Sequence, residues 1–279
     1  MSVHEFGGRW TALKLQVLRE YLNFFATVLG GKFKLVYIDT FAGSGKCTIK
    51  VGADGQQTID GSASIALGVS RPFDEYFFIE ARRKHVKALE VLKATHTEGD
   101  RINITHDDAR EHLADVLNRQ QWASTRGVLF LDPYGLQCTW SMVRDIAATR
   151  ALDVLFLVSV SGLSRQAATS ASRIDADKSR ALDTFLGTND WRAALYKQPE
   201  TRDMFDDDSR LSRDTGIEAI MQFVQKRMEE VFPHVEAPLI LRGPSNAPLY
   251  ALFFAVSNPH ARAKALAAKV SREILSKLR

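Results

Sequence analysis

Four acidic sites, each closing an apolar run, carry most of the chemistry this sequence can offer. Asp39 follows Leu35-Val36-Tyr37-Ile38, Glu80 follows Tyr76-Phe77-Phe78-Ile79, Asp107-Asp108 follows Ile102 to His106, and Asp132 follows Val128-Leu129-Phe130-Leu131. Runs of this kind read as buried strands of a parallel sheet, and ligands of such sheets sit outside the strands' carboxyl ends. Asp39 leads into Thr40-Phe41-Ala42-Gly43-Ser44-Gly45, where the glycines lack a Cβ and let backbone N–H groups approach a ligand. A phosphate-cradling loop needs G-x-x-x-x-G-K-[ST]. Here Thr40 stands for the first glycine and Cys47 for the magnesium-binding hydroxyl. The dinucleotide fingerprint fails as well, because Thr48 occupies the place of its third glycine. Asp39 would also repel a passing pyrophosphate.

The elements that must hold these acids alternate along the chain. A helix from Trp10 to Leu29 shows apolar residues at spacings of three and four and ends at Gly30-Gly31. After the first strand, Lys46 to Asp60 reads as a long polar loop, and a short helix begins at Gly61-Ser62-Ala63. Strands at Glu75–Glu80, Ile102–His106, Gly127–Asp132 and Leu152–Val160 alternate with helices, which predicts a parallel α/β sheet. From 161 to 214 the alternation lapses into a helical lid, with patches at Ser179–Leu186 and Asp190–Tyr196 and a solvated Asp206-Asp207-Asp208. A helix from Gly216 to Val231 precedes a closing hairpin within 237–258, and the tail from Ala261 is a helix rich in Lys and Arg. At 279 residues, 45% hydrophobic and 25% charged, the chain reads as one elaborated domain, 1–279, with a proper core. No apolar run reaches the roughly 18 to 20 residues of a membrane span. Cys47 and Cys138 make neither a disulfide framework nor a metal cluster, and Met1 to Phe6 lacks a secretory pattern, so a cytoplasmic protein is expected. A net charge of +4 permits a nucleic-acid partner without requiring one.

The order D-x-F-A-G-x-G at Asp39 to Gly45 resembles the first motif of Rossmann-like S-adenosylmethionine (SAM) methyltransferases. SAM has no phosphate and carries an ammonium and a sulfonium, so a strand-end carboxylate suits it electrostatically. That resemblance implies a cofactor site of Asp39, Phe41, Gly43, Gly45, Glu80, Asp108 and Ala109. Glu80 would accept the ribose hydroxyls, Asp108 the adenine amino group, and the Ala109 N–H would lie near the ring nitrogen. Asp107 is an equally acidic neighbour, and either aspartate would also serve as a helix N-cap. Asp132-Pro133-Tyr134-Gly135 is similar to the Asp/Asn-Pro-Pro-Tyr/Phe of base-amino methyltransferases, and closer to the Asp-Pro-Phe-Gly of tRNA guanine-N2 methyltransferases. It implies that Asp132 and the carbonyl after it accept the amine's hydrogens while Tyr134 stacks on the base. A plain strand-to-helix turn, with Tyr134 in the core, is the alternative.

A narrower resemblance spans most of the chain. Trp10-Thr11-Ala12-Leu13-Lys14-Leu15 before Tyr21-Leu22, Asp39 to Gly43, Gly61-Ser62, Phe78-Ile79-Glu80, Phe130 to Gly135, Asn189-Asp190-Trp191 and Leu249 to Asn258 look like the three-Cys-motif partner (TcmP) proteins. Those proteins usually have Pro after Gly-Ser, where this chain has Ala63. The resemblance implies a methyltransferase-like fold: a mostly parallel seven-stranded sheet with one antiparallel strand and a helical insertion after the fifth. It also implies partnership with a radical-SAM-like protein carrying three cysteines. Two functions follow: methylation of an exocyclic amine on a nucleic-acid base, or a catalytically silent accessory protein serving that partner. Lys14 is either an exposed helix residue or a contact for the SAM carboxylate. Trp140 and His106 have core or satisfied readings beside functional ones, while Lys46, Arg165 and Arg173 are the better phosphate contacts. The basic tail reads either as a helix that tracks phosphates or, the preferred reading, as the solvated face of a packed helix.

Overall fold

The computed structural model describes residues 8–51, 55–196 and 216–277. The chain opens with helix α1 (Arg9–Leu29), strand β1 (Lys34–Asp39), the strands β2 (Lys46–Val51) and β3 (Gly55–Asp60), and helix α2 (Ser62–Leu67). Strand–helix pairs follow: β4 (Glu75–Ile79) and α3 (Arg83–Thr95), β5 (Ile102–Thr105) and α4 (Ala109–Asn118), β6 (Thr125–Leu131) and α5 (Trp140–Ala148). Then come β7 (Leu152–Ser159), four helices α6 (Val160–Gln166), α7 (Ala176–Leu186), α8 (Trp191–Leu195) and α9 (Ile217–Glu229), and the hairpin β8 (His234–Arg242) and β9 (Pro248–Val256). Helix α10 (Ala261–Ser276) is last.

Seven strands form one sheet in the order β5-β4-β1-β6-β7-β9-β8. Only β9 runs against the others, pairing antiparallel with both β7 and β8. This is the arrangement that the motif resemblance implies, with β7 as the fifth strand of the sheet and the helical insertion following it. The strands read as unbroken apolar runs because both faces are covered. Val36 and Ile38 of β1, Leu129 and Leu131 of β6, and Val154 and Phe156 of β7 join one core with α4, α5 and α9. Their neighbours Leu35, Tyr37, Val128, Phe130 and Leu155 face the other core with α1, α2 and α10.

Four expectations shift. Lys46 to Asp60 is not a loop but the two-stranded antiparallel sheet β2–β3, in register from Lys46↔Asp60 to Val51↔Gly55. Residues 55–58 of β3 are exposed, so the apolar alternation that would have announced a strand is missing. The closing hairpin spans 234–256 rather than 237–258, and the N-terminal helix begins at Arg9. The lid begins at Val160 and lies on the sheet, since Leu182, Phe185, Leu186, Trp191 and Leu195 belong to the first core. Residues 197–214 of it, with Asp206 to Asp208, lie outside the described residues, as does the start of the chain through residue 7. Among the described residues no helix is long and apolar enough to cross a membrane.

Candidate functional site

Strand pairing brings the acids to one edge. Asp39 is level with Phe78 of β4 and Phe130 of β6, and Ile79 is level with Thr105 of β5. Glu80, Asp39 and Asp132 therefore stand on three adjacent strand ends, with Asp107 and Asp108 one strand further out. Asp39 is fully buried. Its carboxylate accepts from the Phe41 N–H at 3.3 Å and the Tyr37 hydroxyl at 3.3 Å, so it braces the turn from behind. Burial pushes its carboxyl up to about 7, a Ser62 hydrogen bond pulls the other way, and the Asp132 charge adds to the rise.

The turn itself opens outward. Gly43 has φ 62°, in the left-handed region, and nothing lies within 4 Å of where a Cβ would stand. Its N–H donates to Glu80 Oε2 at 2.8 Å, tying the β1 turn to the end of β4. Glu80 Oε1 takes the Arg82 N–H at 2.8 Å, and His85 Nδ1 is 3.4 Å from Oε2. A carboxylate has about four acceptor positions, so Glu80 keeps capacity for a further donor. Gly45 is buried, its carbonyl bonded to the Gly61 N–H at 2.8 Å, and it supports the turn from the rear. Phe41 is half-buried against the first core.

The β5 end is built differently. Asp108 caps α4, accepting the Arg110 N–H at 2.9 Å, and is gripped by the Arg110 side chain at 2.6 Å. That hydrogen bond holds its carboxyl below the ordinary range. Asp107 bonds the Asp108 N–H at 2.7 Å and His112 Nδ1 at 3.1 Å. Asp108 is thus the N-cap of α4, and Ala109 is buried in the first core.

At the β6 end the molecule holds what the sequence did not announce. Lys14, on α1, is 8% exposed and donates to Asp132 Oδ2. It is not the exposed helix residue of the first reading. Burial alone would lower its pKa, but the Asp132 charge and hydrogen bond more than reverse this. Asp132 Oδ1 makes no hydrogen bond among the described residues. Pro133 is buried, whereas Tyr134 is 68% exposed and so is not a core residue. Lys14 also sits 5.4 Å from the centre of the Trp10 ring, which stacks on Tyr250 with centroids 4.7 Å apart. Cys47 adjoins this group; burial pushes its thiol up, with Lys14 opposing. Tyr250 and Cys47 were missed because nothing in their local sequence marks which distant strand end they meet.

The remaining expectations resolve simply. Trp140 is 8% exposed and covered by Arg227 at 4.7 Å, so it is core. His106 Nε2 lies 3.2 Å from the Ala81 carbonyl oxygen. Lys46 is paired with Asp60 at 2.6 Å. On α10, Arg272 meets Glu236 at 3.2 Å and Lys277 meets Glu273 at 3.1 Å, which is a solvated, paired face. Among the described residues no cluster of three or more His, Cys, Asp or Glu could hold a metal ion.

No protein-family model matches the sequence, and no curated protein does. Among solved structures, protein LPL1258 of Legionella pneumophila, assigned to DUF519, is similar over 98% of this chain and 92% of its own, with TM-score 0.56 and 13% identity. Spermidine synthase of Thermotoga maritima gives TM-score 0.39 at 14% identity, over 94% of this chain and 75% of its own. The Escherichia coli protein yhhF, assigned as a methyltransferase, gives 0.34 at 19% identity over 52% and 69%. With its strand order and its single reversed strand β9, the chain has the Rossmann-like fold of SAM-dependent methyltransferases.

Proposed function

We propose that the protein transfers a methyl group from SAM to an exocyclic amine of a nucleic-acid base. The observation that carries this reading is the β6 end: Asp132 with Oδ1 unengaged, beside an exposed Tyr134, on the strand next to the Gly43–Glu80 corner. The open side of Gly43 and the remaining acceptor capacity of Glu80 fit an adenosine ribose. Asp39 would act through the turn it braces, and Asp108 would first have to leave Arg110. When bound, SAM supplies an electrophilic methyl on a sulfonium. Asp132 Oδ1 and the Pro133 carbonyl would accept the amine's two hydrogens, turning the nitrogen lone pair toward that methyl. Lys14 on Oδ2 fixes the carboxylate plane, and Tyr134 would lie on the base. The motif likeness to the three-Cys-motif partner family supports the fold frame of this reading.

One observation favours the accessory reading: a buried lysine already occupies half of the Asp132 carboxylate. The two are separated by incubating the protein with isotope-labelled SAM and total RNA or denatured DNA. Label in nucleic acid that disappears in Asp132→Ala supports the enzyme. A protein that binds SAM calorimetrically, labels neither pool and co-purifies with a three-cysteine partner is the accessory.

A further inference from the structure

Tyr250 of β9 stacks on Trp10 of α1, beside the Lys14–Asp132 pair. β9 pairs with β7 so that Tyr250 is level with Ser159, while Leu131 is level with Phe156. Tyr250 thus stands at the same rim as Asp132, across β7, two strand spacings or about 10 Å away. It shares a face with Leu252 and Phe254, which line the core under α1, and Lys14 of α1 reaches Asp132 from that side. Tyr250 is half-buried, yet its hydroxyl makes no hydrogen bond among the described residues. Behind it Trp10 fixes the ring by stacking. Arg165, on the helix that continues from Ser159, is exposed and has no ion pair among the described residues. Tyr134 and Arg165 both lie within electrostatic reach of the Tyr250 hydroxyl. Two tyrosines, a carboxylate and a guanidinium with no ion pair among the described residues thus gather at one rim of the sheet. Such a set fits a planar ring bearing an amine and followed by a phosphate.

Resting on the methyl-transfer reading, we propose that Tyr250, backed by Trp10, is the second wall of the acceptor pocket and Arg165 its phosphate contact, so that the acceptor is a nucleotide in a single-stranded polynucleotide. A base covered on both sides by tyrosines cannot remain in a duplex stack. Stacking by Tyr250 tolerates any base, so sequence choice falls to the groups at the base edge, Asp132 among them.

The test is direct binding of fluorescein-labelled mixed-sequence RNA and DNA, single-stranded and duplex, at two salt concentrations, with methyl transfer measured separately. Wild type is expected to bind single strands at least tenfold more tightly than duplex, the tighter of RNA and DNA naming the source. Tyr250→Ala weakens this tenfold to a hundredfold, and Tyr250→Phe stays within about threefold because the ring is kept. Arg165→Gln, at an exposed position that does not threaten folding, weakens binding and flattens its salt dependence. SAM binding is unchanged in all three. Equal affinity for duplex, no binding by wild type, or full binding by both Tyr250→Ala and Arg165→Gln overturns the proposal. Failure of the parent reading looks different: tight, Tyr250-dependent binding of single strands with no methyl transfer leaves the pocket standing and removes the chemistry.

Discussion

Glu80 and Asp108 both follow a strand of the same sheet, on neighbouring strands, and do different work. Glu80 is reached from another element as well as from its own: the Gly43 N–H, 37 residues away in the chain, and the Arg82 N–H both donate at 2.8 Å. Asp108 is reached from its own helix, by Arg110 two residues on. Asp39 and Asp132 belong with Glu80, since Ser62 and Lys14 come to them from distant segments. What separates these three acids from Asp108 is a donor that arrives across the fold; among the described residues Asp108 is held by its own helix alone.

The contrast can be broken at four points, taken from the largest effect down. Asp39 releases its proton near pH 7 when folded and near 3.8 when unfolded, so the folded chain binds the extra proton between those values and loses stability as pH rises through them. Asp39→Asn removes that loss. It should be more stable than wild type by at most about 4 kcal/mol above pH 7, with no gain near pH 4, in thermal melts across pH. Asp153, raised by burial to about 7 despite the Tyr21 hydrogen bond, should leave part of the wild-type slope in place. Lys14→Met strands the Asp132 charge and should cost about 3 kcal/mol in urea unfolding, with Lys14→Met/Asp132→Asn recovering most of it. Glu80→Gln sets an amide N–H against one of two backbone N–H groups. About 2 kcal/mol of stability should go, and calorimetric SAM affinity should fall at least tenfold. Asp108→Ala should cost about 1 kcal/mol, the worth of an N-cap, and leave SAM affinity within threefold. A larger loss of affinity there would put Asp108 back among the ligands.

What the residues alone disclosed follows the same division. The strands of the large sheet were legible because each buries both faces and so reads as a continuous apolar run; Leu35 to Ile38 and Val128 to Leu131 need no context. Gly55 to Asp60 was not legible, since it pairs only with β2 and buries almost nothing. Asp108 as an N-cap was open to inspection, because cap and helix are adjacent. The Lys14–Asp132 pair spans 118 residues, and amphipathic spacing on α1 placed Lys14 on the helix without saying what stood opposite. Tyr250 is the same case: its strand was evident, but its level with Ser159 depends on the register of β9.

Helix α1 precedes every strand of the large sheet, yet two of its polar partners lie far down the chain. Lys14 must wait for a residue 118 positions later, and Tyr21 donates to Asp153 at 2.6 Å from 132 positions away. At a synthesis speed of about 10 residues per second, that is a delay of more than about 10 s before either pair can form. Docking α1 is also what brings Trp10 to Tyr250. The Trp10–Tyr250 stack therefore forms only with the long-range closure of the chain onto β9, and a product truncated before β9 cannot display it.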